Sequence, residues 1–172
     1  MSIESSFAPS LLSEERQKSF QQSYASSQPY RHAVINELLS DELLRKAREE
    51  IVNGLSFTEK ETDIYKVNQT GDLANLDGLP EEEKSALSSL QQVRNALYSK
   101  EFRSWLEHVT GCGPLSAKKK DMSINDYTSG CHLLNHEYDH LLEVSGSYQA
   151  LNTLFAQRCH LYSPSVLHSV PA

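Results

Sequence analysis

The sequence predicts an α+β fold, and two patterns in it do so. In residues 40–52 and 80–109 the apolar side chains recur every three or four positions, as on one face of a helix. In residues 64–67 and 123–127 apolar and polar side chains alternate, as in strands that bury one face. The length, 172 residues, suits one domain.

The elements follow in chain order. Residues 1–28 are rich in Ser, Gln and Glu and read as a mobile N-terminal arm, with a short helix at 13–19. Pro29-Tyr30-Arg31-His32-Ala33-Val34-Ile35 reads as a first strand. Ser40 can cap a helix whose first turn carries Asp41 and Glu42, which suit the positive end of the helix dipole. Leu43, Leu44, Ala47 and Ile51 share one face of that helix, and Asn53-Gly54 ends it. Ile64, Tyr65, Lys66 and Val67 place a strand within 57–67. The polar run from Gln69 to Gly78 reads as a turn-rich loop. Pro80 opens a helix with Glu81, Glu82 and Glu83 in its first turn, continued by Leu87, Leu90, Val93 and Leu97. A second amphipathic helix over 99–109 carries Phe102, Trp105, Leu106 and Val109 and stops at Gly111-Cys112-Gly113-Pro114. A strand at 123–127, a turn at Ser129-Gly130 and a further strand ending on His136 complete the patterned part. No internal repeat is present.

Composition narrows the function classes. Net charge is −7, which argues against nucleic-acid or membrane-surface binding driven by overall charge. The mean hydropathy is −0.51, and no stretch approaches the roughly 18 apolar residues that a membrane span needs. The N-terminus lacks a basic-then-apolar signal pattern. Three cysteines, Cys112, Cys131 and Cys159, are an odd number without metal-ligand spacing, so a reduced, intracellular protein is expected.

His132, His136 and His140 stand four apart. On a helix they would share one face and could hold a metal. Gly130 and the alternation over 123–127 favour a strand instead. In a strand, His136 and residue 138 point to the same side. A facial triad of two histidines and a carboxylate uses that period. Position 138 is Tyr, and Asp139 would face the other way unless a bulge intervened. Read locally, His136 is either a ligand or a structural strand histidine.

Longer blocks say more. They are Tyr30-Arg31-His32-Ala33-Val34-Ile35, the run from Asp63 to Leu76 (Asp63-Ile64-Tyr65-Lys66-Val67-Asn68-Gln69-Thr70-Gly71-Asp72-Leu73-Ala74-Asn75-Leu76), Leu97-Tyr98-Ser99 with Phe102, and the run from Ser123 to His136. With these, residues 29–136 resemble the N-terminal part of the fungal prolyl 3,4-dihydroxylase family. The resemblance implies an Fe(II)- and 2-oxoglutarate-dependent oxygenase supported by ascorbate, which hydroxylates a proline of a small-subunit ribosomal protein. It implies N-terminal helices packed on an incomplete double-stranded β-helix (jelly-roll) sheet, and a place in the nucleus or cytoplasm. Direct nucleic-acid binding and membrane attachment are not expected. By the same resemblance His136 is the first iron ligand. Tyr127 is the tyrosine whose hydroxyl donates to a 2-oxoglutarate carboxylate; a half-buried strand tyrosine is its plain alternative. Cys131 and Leu134 would pack the barrel wall. The 69–76 block is either structural or substrate-facing.

The resemblance breaks after His136. The family continues with an Asp-Asp pair, and this chain continues Glu137-Tyr138-Asp139-His140. The ligand Asp, the distal His and the co-substrate Arg have no counterpart with family spacing, so no catalytic residue is assigned. Residues 137–172 read as an atypical, poorly ordered tail, with a helix conceivable over 148–157. Glu137-Tyr138-Asp139 can be encoded by GAGTATGAT, which contains the splice-donor-like GTATGA, so a retained intron accounts for the departure. The chain would then be a truncated, inactive oxygenase. The alternatives are a non-catalytic protein-binding module and a fragment without function.

Overall fold

The computed structural model describes residues 2–118 and 122–133, and the strands Leu142–Val144 and Thr153–Gln157. Helices form one layer and an antiparallel sheet the other, as the α+β expectation requires.

The helical layer begins earlier than expected. A 3-10 turn, Ile3–Ser6, is capped by Ser2, and Phe7 then bridges to Leu39. The Ser40 amide donates to the Ser6 carbonyl at 2.9 Å, and the Ala8 amide to Leu38 at 3.1 Å. Phe7 and Leu11 lie in the core, and Phe7 stacks on Phe102 with ring centroids 5.4 Å apart. Helix α1, Glu14–Ser26, starts at its Ser13 cap and packs on helix α5 (Lys100–Thr110), with Phe20 edge-on to Trp105 at 5.5 Å. The segment read as a mobile arm is therefore packed into the helical layer. Its average composition is polar, but Phe7, Leu11 and Phe20 are spaced to anchor it.

The strand expected over 29–35 does not form. Tyr30 and Val34 are each 71% exposed. The Ser27 hydroxyl accepts from the His32 amide at 2.7 Å, which turns this segment back on itself. None of the described strands pairs with it.

Helix α2, Asp41–Gly54, runs as expected from its Ser40 cap and buries Leu43, Ala47 and Ile51. The next expected helix, over 80–97, is two. Helix α3, Glu81–Ala86, ends at Leu87, whose φ of −117° and ψ of 27° break the run, and α4, Ser88–Leu97, restarts it. Helix α4 has no side-chain cap of its own. Glu50 of α2 supplies one instead: its carboxylate accepts from the Ser89 and Leu90 amides at 2.9 and 2.8 Å. Such a cap also complements the positive end of the helix. Helix α5 has Ser99 as its cap and ends at Gly111, whose φ of 68° is the left-handed conformation glycine adopts without penalty.

The sheet order is β1-β2-β3-β6-β5, with β4 also on β2. Strands β1 (Thr58–Glu61) and β2 (Tyr65–Gln69) form a hairpin whose turn is held by the Thr62 hydroxyl, an acceptor for the Ile64 and Tyr65 amides at 3.1 Å. The single strand expected within 57–67 is thus this pair. Strands β3 (Met122–Asp126) and β4 (His132–Leu133) both run antiparallel to β2. The tail contributes β5 (Leu142–Val144) and β6 (Thr153–Gln157), and β6 pairs with β3 along its length. A helix through 153–157 is excluded, and β6 covers one edge of β3. The poor order expected of the rest of 137–172 falls outside the described residues. No described helix is long and apolar enough to cross a membrane.

Met122 and Ile124 project into the core that the helices build. The chain leaves β2 into the 3-10 segment Leu73–Gly78, which packs on β3 and buries Leu73 and Leu76. Arg94, itself buried, donates to the Leu73 carbonyl at 2.9 Å and to Asp77 at 2.7 Å. The 69–76 block is therefore structural in its second half.

Candidate functional site

Antiparallel partners place their side chains on one face, so the registers sort the sheet into two faces. One face carries Glu59, Glu61, Lys66, Asn68, Met122, Ile124, Asp126 and His132. The other carries Thr58, Lys60, Tyr65, Val67, Gln69, Ser123, Asn125 and Leu133. The first face holds the acids, and Glu59 and Glu61 both grip Lys66, at 3.2 and 2.9 Å. Hydrogen bonds that the ammonium donates to Glu61 and then Glu59 raise the Lys66 pKa above its ordinary value. The second face carries one lysine and no acid among these residues. Val67 is buried there, outside the cluster that the helices form.

The segment with Tyr127 interrupts the line that β3 and β4 draw along β2. Asp126 stands opposite Asn68, and His132 stands opposite Lys66. Two steps along β2 thus answer to six along the other line, so four residues are looped out. The expected turn at Ser129-Gly130 is the tip of this loop, and β3 and β4 are not a hairpin with each other. Gly130 has a φ of 92°, and the Cys131 amide donates to the Thr128 carbonyl at 3.0 Å to close the loop. Asn68 holds it down: its amide donates to the Thr128 hydroxyl at 3.3 Å and lies 3.9 Å from the Cys131 sulfur. The loop is thus tied to β2 from the acid-bearing face.

Tyr127 is the first residue of this loop and is half-buried. Cys131 is also half-buried, where packing in a barrel wall was expected. His132 lies in a strand and is exposed, which removes the helical reading of the histidine series at this member. His136, the expected iron ligand, lies outside the described residues, as do His140 and Leu134. Among the described residues no three His, Cys, Asp or Glu side chains gather as a metal site. The sequence does not supply the donor set of a facial triad beside the expected ligand His136: Tyr138 stands where that triad would have its carboxylate.

A group that the sequence reading passed over lies on the second face. Lys60 donates to the Gln69 side-chain oxygen at 2.5 Å, and the Gln69 amide nitrogen donates to the Asn125 oxygen at 2.7 Å. Asn125 is 8% exposed. The signal was available only through register. Lys60, Gln69 and Asn125 have no sequence spacing in common, and three strands must pair before they meet.

Over 109 residues the chain is 41% identical to the prolyl 3,4-dihydroxylase OGFOD1 of Ostreococcus tauri. The matched stretch is 63% of this chain, and the chain spans 21% of the dihydroxylase's length. No family model matches. The resemblance read from the residue blocks thus stands on an independent alignment.

Proposed function

We propose that this chain is the N-terminal portion of an Fe(II)- and 2-oxoglutarate-dependent oxygenase of the prolyl hydroxylase type. The observation that supports this is the 41% identity over 109 residues to a prolyl 3,4-dihydroxylase. In this reading the antiparallel sheet is part of a double-stranded β-helix, with its helix-covered side outward. Tyr127 donates a hydrogen bond to a carboxylate of 2-oxoglutarate, and His136 offers an imidazole to iron. Ascorbate supports the whole enzyme, whose substrate is a proline of a small-subunit ribosomal protein, met in the nucleus or cytoplasm.

The residues present do not complete the iron site, so no step through iron is derived for this chain. Alone it is inactive as an oxygenase. Purified chain supplied with Fe(II) and 2-oxoglutarate tests this. No succinate above the protein-free rate is expected, together with saturable 2-oxoglutarate binding that Tyr127→Phe weakens. Succinate release would overturn the inactivity, and loss of all 2-oxoglutarate binding would overturn the co-substrate role of Tyr127.

The second reading, a non-catalytic binding module, draws on Tyr138 in place of the ligand carboxylate. It keeps the fold and dispenses with the iron.

A further inference from the structure

Residues 30–35 form no strand, yet their backbone is divided as at a sheet edge. The Tyr30 carbonyl accepts from the Ser27 hydroxyl at 3.1 Å and has a His32 ring nitrogen at 3.0 Å. The His32 amide donates to Ser27 at 2.7 Å. Among the described residues, no hydrogen bond reaches the backbone of Arg31 or Ala33. In an antiparallel pair, alternate residues turn both backbone groups to the neighbour, and those between turn them away. Arg31 and Ala33 are placed as the first kind, Tyr30 and His32 as the second.

The side chains alternate to match. Ala33 and Ile35 are half-buried, and Ile35 packs on the core. Tyr30, His32 and Val34 are exposed, and no large apolar side chain among the described residues is more exposed than Tyr30 and Val34. The Tyr30 and His32 rings lie 5.2 Å apart, as neighbours on one face.

The row Tyr30–His32–Val34 is self-complementary. A two-fold axis at His32 sets a second copy antiparallel, with Tyr30 opposite Val34 twice and His32 opposite His32. Arg31 then stands opposite Ala33 in the hydrogen-bonded positions. Aromatic and β-branched side chains attract each other across strands. An axis at Arg31 would set two guanidinium groups opposite each other, and one at Ala33 would leave Tyr30 facing Asn36. The exposed edge strand β1 offers no such register. Centred on Glu59, Lys60 or Glu61, its antiparallel self-pairing sets that residue against itself, like charge on like charge.

We propose that residues 30–34 are a homodimer contact, in which two copies pair these segments antiparallel about His32. The inference is independent of the oxygenase reading.

The test is sedimentation velocity on the whole chain over rising concentration. A reversible monomer–dimer equilibrium is expected, weak because so short a contact falls below a standard interface. His32→Glu sets two carboxylates across the axis and should raise the dimer dissociation constant by roughly tenfold or more. His32 is exposed, so this variant leaves the fold intact. Opposite residues in a non-hydrogen-bonded pair stand within disulfide reach. His32→Cys should therefore form an intermolecular disulfide at position 32 under mild oxidation, which peptide mapping tells from bonds at Cys112, Cys131 and Cys159. Tyr30→Cys should form none at position 30, since Tyr30 faces Val34 of the other copy. A dimer unmoved by His32→Glu, or a disulfide formed as readily by Tyr30→Cys as by His32→Cys, would overturn the proposal. So would a chain that stays monomeric to about 1 mM, which would leave the exposed row to a strand of a different protein.

Discussion

The helical layer and the sheet divide the work of this molecule differently. In the helices, local signals and tertiary burial agree: Ser40 and Ser99 cap, Leu43, Ala47 and Ile51 face inward, and Gly111 stops the chain. In the sheet, one face joins that core through Met122 and Ile124, while the other carries a hydrogen-bonded polar row. Apolar burial therefore concentrates on the helix side and polar hydrogen bonding on the far side. Substitutions should separate the two.

The largest effect is expected at Phe102, which is fully buried and contacts Phe7 and Trp105 by ring stacking. Phe102→Ala should lower unfolding free energy by about 3–5 kcal/mol. Chemical denaturation read by Trp105 fluorescence would show it. A loss below about 1 kcal/mol would mean that the N-terminal segment does not pack as described. Removing the Lys60–Gln69 contact by Lys60→Met should leave the same midpoint almost unchanged, because exposed polar contacts contribute little.

Arg94 comes next. It is buried on the helix side and satisfies the Leu73 carbonyl and Asp77 together. Arg94→Met keeps the aliphatic stem but leaves the carbonyl without that donor, and about 2–3 kcal/mol of destabilisation follows. Thermal melting would register it. An unchanged melting temperature would show that the 3-10 segment Leu73–Gly78 is held by Leu73 and Leu76 alone.

Glu50→Ala removes the cap that α2 lends to α4 and should cost about 1 kcal/mol, with exchange of the Ser89 and Leu90 amides accelerated. Faster exchange confined to the termini of α2 would contradict that role.

How far the sequence speaks differs between the two layers for the same reason. A cap and an apolar stripe lie within a dozen residues of each other, so α2 and α5 were legible nearly to the residue. The break at Leu87 was not, because it is stabilised by Glu50, a residue 39 positions away from Ser89. Composition misjudged residues 1–28, since three apolar anchors among many Ser and Gln barely move an average. The reading of 29–35 as a strand failed, since a strand needs a partner and none of the described strands pairs with it. In the sheet, the Ser129-Gly130 turn was legible from its own residues. The looped-out geometry was not, because it exists only as a shift of register against β2. Residues 142–144 and 153–157 carry no clear period, and their pairing was invisible.

The smallest expected effect bears most directly on the loop. Asn68 reaches from β2 to Thr128 and Cys131, and both distances are at the long end for their atom types, 3.3 and 3.9 Å. Asn68→Ala should therefore change stability by less than about 1 kcal/mol. The loop should nonetheless loosen, because the contacts between Thr128 and Cys131, from the Cys131 amide to the Thr128 carbonyl and between the Thr128 hydroxyl and the Cys131 sulfur, lie within the loop itself. Cys131 is half-buried with its sulfur 3.9 Å from the Asn68 amide nitrogen, so its thiol should react severalfold faster with a neutral alkylating reagent once Asn68 is shortened. Cys112, also half-buried but in the segment after α5, serves as the internal control. Equal rates at Cys131 before and after the substitution would mean that the loop holds its shape unaided. Acceleration at both cysteines would mean that the sheet and the helical layer do not respond separately, and the division drawn between them would fail.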